Sequence, residues 1–233
     1  MIANSFKSVT ALLSIALLSL VLSGCAPLVV GGTAATTVAV ASDRRTTGEQ
    51  LDDKTIQLKA NSELSSIFGN KARFVPVSYA GHVLLLGDVP TEADKQKAEE
   101  AVKQIEPVNK VTNRLRVGEI TPLSVRTNDT WLTTKVTTTL INTADVPTRT
   151  MVITTERGRV YLMGKVTPNE AERAAKAAAQ VTGVNEVIKV FDIISPEQLR
   201  QQEELNAELN RAADTQPANS SSSSSNIETM PVQ

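Results

Sequence analysis

The chain has 233 residues, 41% hydrophobic, 21% charged and only 3% aromatic, with 24 basic against 25 acidic side chains. No overall charge drives it toward nucleic acid. A single His and a single Cys exclude an internal disulfide and leave too few ligands for an ordinary structural zinc, so no metal or cofactor is expected. Any Ser–His or Cys–His catalytic pair would have to use His82.

In chain order, the N-terminus carries one cation, Lys7, then an apolar run from Ala11 to Leu22, then Leu22-Ser23-Gly24-Cys25. A basic start, a short hydrophobic stretch and small residues at the cut define a secretory signal over 1–24. The run is shorter than the roughly 20 residues of a spanning helix. Leu-Ser-Gly-Cys resembles the lipobox of bacterial lipoproteins, which implies that Cys25 is acylated and heads the mature chain; an unmodified thiol after an ordinary signal is the alternative. One acyl chain holds a membrane only marginally; the resemblance implies several chains on Cys25, hence stable attachment. Ala26 in place of an Asp implies, by the same resemblance, the outer membrane facing the periplasm. Residues 25–51 show no helical or strand period and read as the acylated cysteine and a flexible tether, spanning roughly 25–30 Å on average.

The remainder is one unit written twice. Gly81-His82-Val83-Leu84-Leu85-Leu86-Gly87-Asp88-Val89 matches Gly158-Arg159-Val160-Tyr161-Leu162-Met163-Gly164-Lys165-Val166 at an offset of 77. Val108-Asn109-Lys110-Val111 matches Val184-Asn185-Glu186-Val187 at 76; Asp53, Ile56, Lys59 and Leu64 match Asp129, Leu132, Lys135 and Leu140, also at 76. Two homologous domains follow, over 52–117 and 129–194, each reading helix, strand, strand, helix, strand. The strand pairs turn at Ala80-Gly81 and Arg157-Gly158. The second helices start at Pro90-Thr91 and Thr167-Pro168, and the last strands run over 111–117 and 187–193. Thr130 to Ile141 is crowded with β-branched residues that favour strands. Its stripe Leu132, Val136, Leu140 keeps the four-residue period of Ile56, Ala60, Leu64, which predicts a helix with Asn128 or Asp129 as N-cap and 118–128 as linker. His82, in a hairpin turn opposite Arg159, is expected to be exposed. Residues 195–233 read as a polar helix with sparse leucines (Leu199, Leu205, Leu209), then a Ser-rich disordered tail.

The duplicated αββαβ unit with its Gly-x-Val-x-Leu-x-Gly hairpin resembles the BON domain family. The resemblance implies an α+β fold of two tandem BON domains, each a three-stranded mixed sheet packed on two helices. It further implies a non-enzymatic lipoprotein whose second domain binds anionic phospholipid, phosphatidylglycerol-like, through its first helix. The surface would be the inner leaflet of the outer membrane. Support of outer-membrane integrity, a place at the division site and envelope-assembly or division proteins as further partners follow from the same resemblance.

Trp131 is the only tryptophan, its repeat counterpart is Thr55, and it lies about 100° from the apolar stripe. An indole beside Lys135 suits a headgroup interface, although a place at the core's edge under the interdomain loop is the competing reading. Ile141, opposite Ser65, is a second candidate for insertion. Val136 is divided, the period assigning it to the core and the resemblance to the lipid face. Residues 52–117 hold ten basic and nine acidic side chains, and 129–194 hold eight and seven, so charge alone binds neither domain to anionic lipid. A protein-interaction adaptor that ignores lipid is the alternative function.

Overall fold

The computed structural model describes residues 43–215; the signal, Cys25 and most of the expected tether lie outside them, as does the Ser-rich tail. The first domain opens with α1, Thr47–Phe68, started by a reciprocal capping box between Thr46 and Glu49. This helix begins five residues before the expected boundary at 52, and the chain is already fixed at residues 43–45. Arg44 donates both guanidinium ends to Glu170 at 2.8 Å, Gln202 donates to the Arg44 carbonyl, and Arg45 pairs with Asp43 and Asp53. Residues 43–51 therefore belong to the fold and not to a flexible tether.

Strands β1, Arg73–Tyr79, and β2, His82–Val89, form an antiparallel hairpin, and helix α2, Glu92–Lys103, returns the chain so that β3, Lys110–Asn113, pairs parallel to β2. The strand expected over 111–117 is interrupted. The Asn113 side chain accepts the Leu115 amide, Leu115 turns into the core, and pairing with β2 resumes in β4, Arg116–Val117. The second domain repeats the plan with α3, Leu123–Ile141; β5, Met151–Glu156; β6, Arg159–Val166; α4, Pro168–Ala179; and an unbroken β7, Glu186–Ile193. Each sheet is mixed and packs on two helices, the α+β architecture expected. A last helix, α5, spans Pro196–Thr215.

Both hairpin turns carry positive φ at their two central residues, Ala80 and Gly81 at 50° and 77°, Arg157 and Gly158 at 54° and 73°. A non-glycine residue there needs support. The support is the repeated aspartate: Asp53 accepts the Ala80 and Gly81 amides, and Asp129 accepts those of Arg157 and Gly158 at 2.7 and 2.8 Å. Asp129 is thus not the N-cap. It lies inside a helix that starts six residues earlier, after Pro122. Gly87 and Gly164 let the strands approach: a Cβ at either would meet a carbonyl oxygen at 1.9 or 2.4 Å.

The continuous apolar runs Val83–Leu86 and Val160–Met163 are strands buried on both faces. In the first, Val83 and Leu85 join Ile56, Ala60, Leu64 and Val102 under the helices. Leu84 and Leu86 point the other way, into one cluster with Val77, Tyr79, Tyr161 and Met163. The two sheets therefore pack face to face with helices outside, four layers in the order α, β, β, α. Polar ties close both ends. Asp88, fully buried, accepts from Arg73, Arg116 and Thr121, while Arg73 also pairs with Glu156 across the interface. Burial would raise the Asp88 pKa, but the Thr121 and Arg73 hydrogen bonds outweigh it and hold the carboxyl below its ordinary range. Its repeat counterpart Lys165 pairs with Glu49 at 3.0 Å at the other end. This packing also corrects the expectation for His82, which is 3% exposed: Nε2 meets the Thr112 hydroxyl, and Nδ1 faces Asp192 of the second domain at 3.8 Å. Docking of the second domain covers a turn that would be open in an isolated unit.

Candidate lipid-facing site

Helix α3 is held by one stripe: Asp129, Leu132, Val136 and Leu140 are buried against α4 and the second sheet. At 100° per residue the opposite face carries Leu123, Thr127, Trp131, Thr134, Thr138 and Ile141, all within an arc of about 80°. Leu123, Trp131 and Ile141 are 68%, 62% and 65% exposed. They lie in one row about 27 Å long from first to last, at about 1.5 Å per residue. Isolated exposed apolar residues need no explanation; three in one row, on the side away from the core, are a surface of a particular kind.

The threonines between them make that surface cheap to desolvate. Thr127, Thr134 and Thr138 donate their hydroxyl protons to the carbonyls of Leu123, Thr130 and Thr134, at 3.0, 3.1 and 2.9 Å. A hydroxyl with its donor already satisfied by the helix costs less to remove from water than a free one. The β-branched run that argues for a strand thus gives a helix face of methyl groups. The only acid on α3 is Asp129, buried under the hairpin, so the outward face carries no negative side chain.

Beside Trp131 the α3 surface and the loop after α4 enclose an open, mostly apolar groove of about 540 Å³, lined by Trp131, Thr134, Lys135, Thr138, Thr139 and Gln180–Thr182. Lys135 donates from Nζ to the Thr182 carbonyl at 2.8 Å, so its ammonium bridges α3 to that loop across the groove. A second depression of about 350 Å³ lies at the end of α3 between Ile141, Val146, Pro147, Thr148 and Arg149.

Of the residues singled out from the sequence, Trp131 and Ile141 are brought onto one face, and the exposure of Trp131 removes the core-edge reading. Lys135 is at the groove but engaged. Val136 is corrected: it is 0% exposed in the core, because it falls on the buried stripe, and cannot meet a headgroup while the domain is folded. Leu123 was missed. Its segment reads as linker, since Pro122 starts the helix with no side-chain cap; the signal available was the four-residue spacing that runs back from Trp131 through Thr127 to Leu123. Cys25 lies outside the described residues. Among these, no three His, Cys, Asp or Glu side chains are grouped to hold a metal, and no helix is long and apolar enough to cross a membrane.

The model of the BON domain matches residues 52–119 and 128–195. The chain is 39% identical over 172 residues to outer membrane lipoprotein DolP of Haemophilus influenzae, covering 73% of this chain and 89% of that one. It is 34% identical over 154 residues to a protein of Actinobacillus pleuropneumoniae named 21 kDa hemolysin, covering 65% and 79%. A solved chain of CdsD, a structural protein of the type III secretion system of Chlamydia trachomatis, aligns over 60% of this chain and 95% of its own with 11% identity and a TM-score of 0.26, too loose a likeness to carry weight. The chain belongs to the BON domain family, as a dual-BON outer-membrane lipoprotein similar to DolP.

Proposed function

We propose that this lipoprotein, held by acylated Cys25 and facing the periplasm, binds anionic phospholipid of the phosphatidylglycerol kind through the outward face of α3. In doing so it supports outer-membrane integrity without catalysis, including at the division site. The observation that carries the reading is the row Leu123, Trp131, Ile141, set on a helix face whose remaining positions are threonines with satisfied hydroxyls. Such a helix lies in the interface plane, with its apolar residues inserted and its opposite stripe still packed on its own domain. Trp131 sits well at headgroup level, where its ring is amphipathic. The tether keeps this weak surface contact effectively local.

Trp131 reports on its own contact. In the mature full chain carrying Cys25→Ser, tryptophan emission is expected to shift to the blue with phosphatidylglycerol vesicles and to stay put with phosphatidylcholine. Ile141→Glu is expected to abolish the shift with the fold intact by circular dichroism. No shift and no co-sedimentation at low salt would overturn the reading in favour of an adaptor that recognises protein alone.

A further inference from the structure

Resting on that reading, we propose that Arg149 is the residue that selects the anionic headgroup, binding the lipid phosphodiester at the Ile141 end of α3. Discrimination between anionic and zwitterionic lipid needs a cation at the inserted face, and the cations of α3, Arg126 and Lys135, lie on the flanks of that face and well before its Ile141 end. Lys135 spends one of its three N–H donors on the Thr182 carbonyl, which holds its ammonium at the groove beside Trp131 rather than at Ile141, and Arg173 of α4 is paired with Asp145 at 2.8 Å. Arg126 lies on the flank of the helix, lining a depression with Asp129 and Glu156, whose carboxylates face the same space. Arg149 is exposed, and among the described residues its side chain makes no hydrogen bond or ion pair. It borders the same small depression as Ile141, Val146 and Pro147.

The helix itself makes a cation necessary there. The last turn of α3 has no basic side chain; Asn142 and Thr143 cap the carbonyls of Thr138, Thr139 and Leu140, but no cation offsets the helix field where Ile141 would enter the membrane. An anionic headgroup at that end is repelled unless a neighbour offsets the field. A guanidinium matches a phosphodiester in geometry as well as charge, through two parallel N–H donors. The apolar floor of Ile141, Val146 and Pro147 then takes the glycerol and first methylenes of the same lipid.

The test is vesicle binding of the mature full chain with Cys25→Ser, read by Trp131 emission and co-sedimentation. With phosphatidylglycerol vesicles, Arg149→Gln is expected to weaken binding about fivefold, Arg149→Lys to recover part of it and Lys135→Gln to cost less than twofold. Lys176→Gln, an exposed cation of α4 outside the depression, controls for general charge. Equal losses for Arg149→Gln and Lys176→Gln, or no loss for Arg149→Gln while the wild type binds, would overturn the assignment to Arg149 and leave α3 as the lipid face. Absence of wild-type binding would instead sink the underlying reading. Displacement of wild type from vesicles by millimolar inorganic phosphate at constant ionic strength would overturn the lipid source, since the site would then take free phosphate.

Discussion

The groove beside Trp131 has a twin on the first domain, and the two differ where it matters for an anionic surface. In the first domain Lys59, Ser62, Glu63, Gln104, Ile105 and Glu106 line the depression between α1 and the loop after α2. Seventy-six residues on, Lys135, Thr138, Thr139, Gln180, Val181 and Thr182 line the second. The fold places the same groove twice. Duplication kept the lysine, the glutamine and the apolar base, while Glu63 and Glu106 stand opposite Thr139 and Thr182, and Thr55 stands opposite Trp131. The four-layer order also turns the grooves away from each other: when α3 lies on a membrane, α1, with Leu51 and Leu58 exposed, faces the opposite side. Both outer helices show exposed apolar residues, but only the α1 side sets glutamates, Glu63 and Glu106, beside them.

The largest contrast lies beneath the grooves, in the paired aspartates. Asp129 supports only two turn amides. Asp53 does the same and also accepts from Ser78 at 2.6 Å and Arg45 at 2.8 Å. Asp129→Ala leaves two amides unpaired and is expected to cost about 2–3 kcal/mol; Asp53→Ala also takes the partner of the Ser78 hydroxyl and one of the two carboxylates of Arg45, which keeps Asp43, and should cost about 1 kcal/mol more. Urea unfolding of the two full-length variants measures both. Equal costs would mean that the contacts of Asp53 with Ser78 and Arg45 contribute nothing to holding the first domain.

A second contrast is between Tyr79 and Glu156, which occupy the same place in the two repeats and lie at opposite ends of the sheet interface. Burial pushes Tyr79 up to about 12. Its folded pKa lies above the ordinary value near 10, so this contribution to stability is complete below pH 10 and is lost as pH rises from 10 toward 12. Two units correspond to about 2.7 kcal/mol, an upper figure. Tyr79→Phe should abolish that part of the alkaline decline, leaving the parts due to Tyr161, which burial also raises, and to lysines. An unchanged slope would show the ring to be accessible at the interface.

Most of this architecture is legible in the sequence because it follows from local chemistry. Ala80-Gly81 and Arg157-Gly158 set the turns, Gly87 and Gly164 mark a close approach, and the repeat overrules the strand propensity of Thr133–Thr139. What is not legible depends on how distant parts meet. His82 looks exposed until the second domain covers it, and Asp129 looks like a cap until the hairpin folds onto it. Leu123 looks like linker because no side chain announces the start of α3. Val136 shows the converse: its four-residue period with Leu132 and Leu140 outweighs any family-level expectation, since a residue on the buried stripe cannot also face a lipid.

The smallest effects test whether the groove residues alone separate the two domains. Thr139→Glu with Thr182→Glu would give the second groove the acids of the first, and at about 1 kcal/mol per charge near an anionic surface should weaken phosphatidylglycerol binding by about thirtyfold. The reciprocal graft, Thr55→Trp with Glu63→Thr and Glu106→Thr, is made in an Ile141→Glu background so that only the first domain can bind. It should restore weak binding by co-sedimentation, on the order of 1 kcal/mol above that background. Restoration is partial because α1 carries Ser65 where α3 has Ile141, and because Asp52 remains exposed on α1, whereas α3 has no exposed acid. Full restoration would mean that the end anchor is dispensable and that the groove sets affinity by itself. No restoration would place the difference in the inserted row, Leu123 to Ile141, and leave the glutamates as a consequence of facing water rather than the cause of avoiding lipid.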